Sequence, residues 1–203
     1  KGNPCLLVFA QFVNPGKGST REKVHNFAAV FNPDGTIAGT YTKRRLIPLM
    51  EKFVVMKGKS SQPVPVAQGK LGIAICYDMD FTGTFVDLSR QGAEFVVVPS
   101  LDPVRWGKPQ HLQHASLARV RAVESRKWVA RSCSSGPSQV VDPLGREIAQ
   151  TQFAETVTLE SYAAFVQGRT IYHRYLWLFP WLCTLIAAGI IIQYLFVKAR
   201  SAH

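Results

Sequence analysis

The sequence predicts a mixed α/β domain with a partly antiparallel sheet, followed by one membrane-spanning helix at the C-terminus. Three observations carry this. Short apolar runs alternate with turn signals, Asn32-Pro33-Asp34-Gly35 and Asp142-Pro143-Leu144-Gly145. Segments of helical spacing lie between those runs. The stretch FPWLCTLIAAGIIIQYLFV, Phe179 to Val197, contains 19 residues and no charge.

Taken in order, CLLVFAQFV (Cys5 to Val13) reads as a strand and the polar stretch Asn14 to Lys23 as a loop. His25 to Lys43 reads as a hairpin turned at Asn32–Gly35. Pro63–Gln68 and Leu71–Cys76 form a short strand pair around Gly69. Phe81 to Gln91 is helical, with Phe85 and Leu88 on one face, and stops at Gly92. AEFVVVPS, Ala93 to Ser100, is a buried strand by its unbroken apolar run. A second helix spans about Gln110 to Arg126, with Leu112, Leu117, Val120 and Val123 at helical spacing. KWVARSCSS follows as a strand, and Ser138 to Gln150 as a hairpin. Helices and hairpins mixed in this way give an α/β or α+β class. There is no internal repeat and no low-complexity tract.

A chain of 203 residues, 47% of them hydrophobic, holds one domain with a substantial core. At 1.5 Å rise per residue, Phe179–Val197 is about as long as a bilayer's hydrocarbon core is thick. The alternative is a buried core helix, but few domain cores need a 19-residue helix that is apolar on every face. Tyr175, Trp177, Phe179 and Trp181 form an interfacial belt at one end, while Lys198, Arg200 and His203 flank the other. That asymmetry places the C-terminal tail in the cytoplasm and the preceding domain across the membrane. The 24 Lys plus Arg against 13 Asp plus Glu suit work beside anionic headgroups. They would also suit nucleic acid, but no helix-turn-helix, zinc-finger or RNA-binding signature accompanies them. Cys5, Cys76, Cys133 and Cys183 are widely separated and form no C-x-x-C pair, so neither a metal nor another cofactor is expected. A Cys5–Cys133 disulfide stays open as a pairing outside the cytoplasm. A start at Lys1 instead of Met reads as a removed presequence or a piece of a longer chain.

One cysteine stands in a special setting. In KLGIAICYDMDF, Cys76 ends a buried apolar run and is followed within a few residues by a helix. A strand-turn-helix junction presents a side chain at the sheet edge and aims backbone N–H groups at the same point. A thiol placed there suits acyl transfer, because a nearby base or cation raises its thiolate fraction. The competing reading is a small buried hydrophobe, the usual fate of a free cysteine.

GIAICYD resembles the nucleophile motif of the carbon–nitrogen hydrolase (nitrilase) superfamily. YTKRRLIPLMEKF resembles that family's lysine motif, with Lys43 followed eight residues later by Glu51. RVRAVESRKWVARSCSSGPSQVVDPLGREIAQ is similar to its Arg-Ala-x-Glu helix, strand and Asp-Pro-x-Gly hairpin. The three motifs lie in the family's order between about Phe9 and Gln150. Within the superfamily, RLIPLMEKF and the aromatic YLWLFPWLC resemble the C-terminal part of the apolipoprotein N-acyltransferases.

That resemblance implies an α/β nitrilase-like α-β-β-α sandwich over residues 1–166, incomplete at its N-terminus. An aromatic linker (167–178), a transmembrane helix (179–197) and a cytoplasmic tail (198–203) follow. It implies that Cys76 attacks an ester carbonyl of a phospholipid and forms a thioester. Lys43 and the backbone N–H groups after Cys76 stabilise the oxyanion, and Glu51 orients Lys43 or assists the incoming amine. The acyl chain passes to the N-terminal amine of a lipoprotein, on the periplasmic side of a bacterial inner membrane. The family's general-base glutamate ends the first strand; neither Glu22 nor Asp34 fits, so it is expected ahead of Lys1, and the 203-residue piece is expected to be inactive alone. Asp78 stands where a glutamate is more usual, and Ser100 where asparagine often stands. Two other readings use the same features: a membrane-tethered amidase or nitrilase, in which water resolves the thioester, and a non-catalytic nitrilase-like membrane protein. An anchor directly after the domain favours a lipid substrate over a small amide.

Overall fold

A computed structural model of the chain describes residues 7–13, 24–176 and 178–200. It divides into two compact units, Lys1–Arg169 and Thr170–His203.

The first unit holds two sheets. Strands β1 (Leu7–Val13), β2 (Val24–Phe31) and β3 (Ile37–Thr42) form an antiparallel meander, with Leu7 opposite Phe31 and Phe27 opposite Thr42. The β2–β3 turn is the expected one: Gly35 N–H donates to Asn32 O at 2.9 Å, with Gly35 at φ +84°, where a side chain would be strained. After Thr42 the chain loops through Lys43 to Val54. It returns as β4 (Val55–Met56), which pairs in parallel with the start of β2. Cys5 and the polar loop Asn14–Lys23 lie outside the described residues.

The second sheet has the order β10-β9-β8-β7-β6-β5. Its parallel centre is β6 (Gly69–Ile73), β7 (Phe95–Ser100) and β8 (Trp128–Cys133). β5 (Val64–Val66) and the hairpin β9 (Gln139–Val141) and β10 (Glu147–Gln150) complete its edges in antiparallel pairing. Helices α1 (Thr82–Arg90) and α2 (Lys108–Ser125) are the crossovers between the parallel strands. Parallel strands covered on both faces must be apolar on both, which is why GIAI and EFVVV read as unbroken runs.

The two-residue period of the strands assigns each side chain to a layer. Leu71, Ile73 and Ile75 face the first sheet and pack with Ala28, Val30 and Tyr41. Ala74, Val96, Val98 and Val129 face the other way, onto Phe85 and Leu88 of α1 and Ala118 and Ala122 of α2. The sheets approach closely: a Cβ on Gly39 would stand 2.9 Å from both Val64 methyls. Among the described residues of this unit the layers are helices, sheet and sheet, three of the sandwich's four.

Of the aliphatics at helical spacing in helix α2, Leu117 packs, partly buried, against the core and the others do not. Leu112, Val120 and Val123 are each more than 40% exposed, while the buried face is His111, His114, Ala115, Ala118, Arg121, Ala122 and Ser125. Small side chains let the helix lie close to the sheet, and the buried polar groups have partners. Arg121 donates to Met79 O at 2.9 Å and pairs with Glu124, and Ser125 donates to Arg121 O at 2.6 Å. The helix ends with Arg126 in the left-handed region at φ 54°.

The second unit contains a short helix α3 (Ile171–Tyr175), inside the expected linker, capped where Thr170 Oγ1 accepts from His173 N–H at 3.0 Å. Helix α4 (Leu178–Arg200) has 23 residues and is exposed along its whole length. A long apolar helix with no protein cover is a candidate membrane span.

Candidate active site

The parallel strands β6, β7 and β8 end at the same edge of their sheet. Cys76 follows β6, Leu101 and Asp102 follow β7, and Cys133 and Ser134 lie at the end of β8. The loop from Lys43 to Val54, carried by the other sheet, closes over this edge. Open α/β sheets place ligands at the carboxyl ends of their strands, and here a cavity of about 810 Å³ opens there. Lys43, Glu51 and Cys76, the three residues singled out in the sequence, all line it.

Cys76 occupies the left-handed region at φ 49° and starts a 3₁₀ turn, Cys76–Asp80. A non-glycine residue in that conformation is strained and is held by its surroundings. The clamp is Asp78. Its carboxylate accepts from Tyr41 OH at 2.8 Å, from Ile75 N–H at 3.0 Å, and from Arg44 and Arg45 N–H at 3.3 and 2.7 Å. One fully buried side chain thus ties the Cys76 turn to β3 and to the lysine loop. Burial still raises the Asp78 carboxyl above the usual carboxylate range, and the donors only partly offset it.

Lys43 is 1% exposed despite standing beside Arg44 and Arg45 in the sequence, so its charge is not a solvated one. Its Nζ donates to both oxygens of Glu51, at 2.8 and 2.7 Å. Glu51 also accepts from Ile47 N–H at 2.8 Å and from Asn26 Nδ2 at 3.4 Å, so the carboxylate is oriented from three sides.

Cys76 Sγ lies 3.8 Å from Asp102 Oδ1 and 4.0 Å from Leu101 O. Burial pushes the thiol up to about 12, and the Asp102 charge adds to this, against the opposing pull of Lys43. At rest the sulfur is therefore a protonated thiol, and its attack on a carbonyl requires a base.

Behind Cys76 stands a buried charged cluster that the sequence reading did not assemble. Asp102 Oδ2 is 2.5 Å from Arg131 Nη2 and 2.9 Å from His114 Nδ1, and His114 Nε2 is 3.2 Å from Asp80 Oδ1. Burial acts to raise the Asp102 carboxyl, but the hydrogen bond and charge of His114 and the charge of Arg131 outweigh it and hold it below its ordinary value. Burial acts to lower His114, but Asp102 and Asp80 outweigh that and raise it to about 9. Gly136 leaves room for the cluster: a Cβ there would stand 3.0 Å from His111 Nδ1 and 3.3 Å from Asp102 Oδ2. The one available signal was Arg131, a charge inside the strand WVARSC. Ligand atoms of Cys76, Asp102 and His114 lie within 4.8 Å of one another, but the set is unsuited to a cation. His114 Nδ1 is engaged by Asp102, and Arg131 Nη2 lies 3.4 Å from that same nitrogen.

A second cavity, of about 420 Å³, meets the first at Ile47, Met50, Cys76 and Trp106. Its other walls include Asp80, Gln110, Gln113 and His114.

Two facing sheets flanked by helices, with a cysteine on a strained turn at the end of a central parallel strand, define a nitrilase-like α/β protein. Residues 5–164 match the carbon–nitrogen hydrolase family, and the chain belongs to it. It is similar to human deaminated glutathione amidase, at 34% identity over 148 residues, 64% of this chain and 44% of that protein. It is also similar to the apolipoprotein N-acyltransferase of Geobacter metallireducens, at 26% identity over 208 residues, 92% of this chain and 39% of that one. Among solved structures, a carbon–nitrogen hydrolase from Helicobacter pylori G27 superposes with a TM-score of 0.66 at 25% identity, covering 76% of this chain and 60% of that one. The chain spans less than half the length of the two relatives named by sequence.

Proposed function

We propose that this chain carries the acyl-transfer site of a membrane N-acyltransferase: Cys76 takes a fatty acyl group from a phospholipid as a thioester, and the N-terminal amine of a lipoprotein removes it. In this reading Lys43 and the Tyr77 backbone N–H face the oxyanion, and Glu51 holds Lys43 in place. The observation that carries the reading is the reach of the N-acyltransferase similarity. It covers 92% of this chain, more than the 169 residues of the first unit supply, and so extends into the unit that contains the uncovered apolar helix. The walls of the larger cavity agree, since Val54, Val55, Ile75, Leu101 and Trp106 give an acyl chain apolar contact beside the thiol. The domain faces the periplasm and Lys198 and Arg200 the cytoplasm of a bacterial inner membrane, by the positive-inside asymmetry.

A second reading, a membrane-tethered amidase, is favoured by the 34% identity to deaminated glutathione amidase. The test is mass spectrometry of the full-length protein incubated with phospholipid in detergent. Acyl mass on the Cys76 peptide, transferred on addition of a diacylglyceryl-cysteinyl peptide and absent from Cys76→Ala, supports the transferase. Ammonia release from a small amide, with no acyl adduct from phospholipid, supports the amidase. A cytoplasmic reporter fused after His203 gives signal if the orientation is as stated and is silent if it is reversed.

A further inference from the structure

The two cavities that meet at Cys76 differ in charge. The larger has the Lys43–Glu51 pair and a mainly aliphatic wall. Among the described residues the smaller contains no Lys or Arg in its wall; its titratable groups there besides Cys76 and Tyr77 are Asp80 and His114, with Gln110 and Gln113 beside them. Asp80 has a third of its side chain exposed, and its Oδ1 faces His114 Nε2 at 3.2 Å. That contact is an ion pair without hydrogen-bond alignment, since the buried Nε2 has no hydrogen-bond partner among the described residues. His114 is in turn fixed by Asp102 at 2.9 Å. A carboxylate is thus held at a cavity wall by a buried imidazolium, and its second oxygen has no partner among the described residues.

We infer that this smaller cavity is the acceptor subsite, and that Asp80 selects a nucleophile arriving as a primary ammonium while His114 positions Asp80. The inference deepens the transferase reading and rests on it for the identity of the acceptor. The α-amino group of a peptide ionises near pH 8, so at pH 7 it arrives mostly as the ammonium and needs an anionic partner to enter a partly buried pocket. Asp80 supplies that partner, and the amide oxygens of Gln110 and Gln113 are acceptors of the remaining N–H groups. In the transfer step one ammonium proton passes to Asp80 and, through its exposed side, to solvent. The neutral amine attacks the thioester carbonyl, the C–N bond forms and the C–S bond breaks. A second amine proton goes to Sγ as the thiol is restored, and the third stays on the amide nitrogen.

The experiment loads Cys76 of the full-length protein with p-nitrophenyl butyrate, so that its outcome does not depend on whether phospholipid is the natural donor. The butyryl-enzyme is then resolved with glycinamide, a cationic primary amine, or with hydroxylamine, which is uncharged at pH 7. In Asp80→Asn, the KM for glycinamide is expected to rise at least tenfold relative to that for hydroxylamine, and His114→Gln is expected to lower the same selectivity more weakly. Asp80→Glu restores part of the preference. A general loss of packing would raise both constants together. If Asp80→Asn leaves the ratio of the two constants as in the wild type, the subsite assignment is overturned, whether or not phospholipid acylates Cys76. Failure of phospholipid to acylate Cys76, with the butyryl selectivity intact, removes the transferase reading and leaves an amine subsite.

Discussion

Lys43 and Glu51 form a bidentate ion pair, 2.8 and 2.7 Å from Nζ to the two carboxylate oxygens, with the lysine side chain 1% and the glutamate side chain 11% exposed. Removing one partner of such a pair leaves a charge with no solvent to receive it. Glu51→Ala is expected to destabilise the protein by about 3–5 kcal/mol in urea unfolding. The double variant Lys43→Met, Glu51→Leu is expected to recover most of that loss and to form no Cys76 thioester. Thioester formation at the wild-type rate in the stable double variant would show that the pair serves the fold alone.

The second prediction follows from the raised thiol. With Cys76 pushed up to about 12 by burial, alkylation by iodoacetamide in the absence of substrate is expected to rise about tenfold per pH unit between about pH 7 and 9. Peptide mapping of the labelled cysteine gives the rate. A plateau below pH 8 at Cys76 would mean that the resting protein already holds a thiolate.

His114 gives a pH dependence of stability whose sign is fixed by the direction of its shift. Its value is raised from 6.5 to about 9 in the folded state, mainly by Asp102 and Asp80 against the opposing effect of burial. The stabilisation it contributes is therefore complete below about pH 6.5 and is lost as pH rises through about 9. The urea midpoint is expected to fall across that window in the wild type and to change much less in His114→Gln. Equal slopes in the two proteins would remove His114 as the source.

Gly39 tests the approach of the two sheets. A Cβ there would stand 2.9 Å from both Val64 methyls, and Val64, being β-branched, has little freedom to turn away. Gly39→Ala is expected to cost about 1–3 kcal/mol, and Gly39→Ala with Val64→Ala to recover part of it. Additive losses in the double variant would place the strain elsewhere.

The sequence made the parallel centre of the second sheet legible because a strand buried on both faces has no polar face to blur its run. Turn chemistry placed both hairpins within a residue or two. Helix α2 was legible from its spacing, but the spacing did not say which face is buried. Ala115, Ala118 and Ala122 are on its buried face, and Leu112, Val120 and Val123 face outward. The resemblance of their motifs singled out Cys76, Lys43 and Glu51, and all three line one cavity. Asp80, His114 and Arg131 were not singled out, because their meaning depends on α2, β8 and the 3₁₀ turn converging, and no local pattern encodes a contact across 29 residues such as Asp102–Arg131.

Asp78 has a consequence for how the site comes into being. Its four donors come from β3, from the loop after β3 and from the end of β6, so its carboxylate finds them together only after the two sheets have docked. A chain that has made all its strands but not yet joined its halves lacks the clamp that fixes the Cys76 turn against the lysine loop. The placement of the sulfur beside Lys43 is therefore a property of the docked sheets and is lost whenever they part, even if each keeps its own strands.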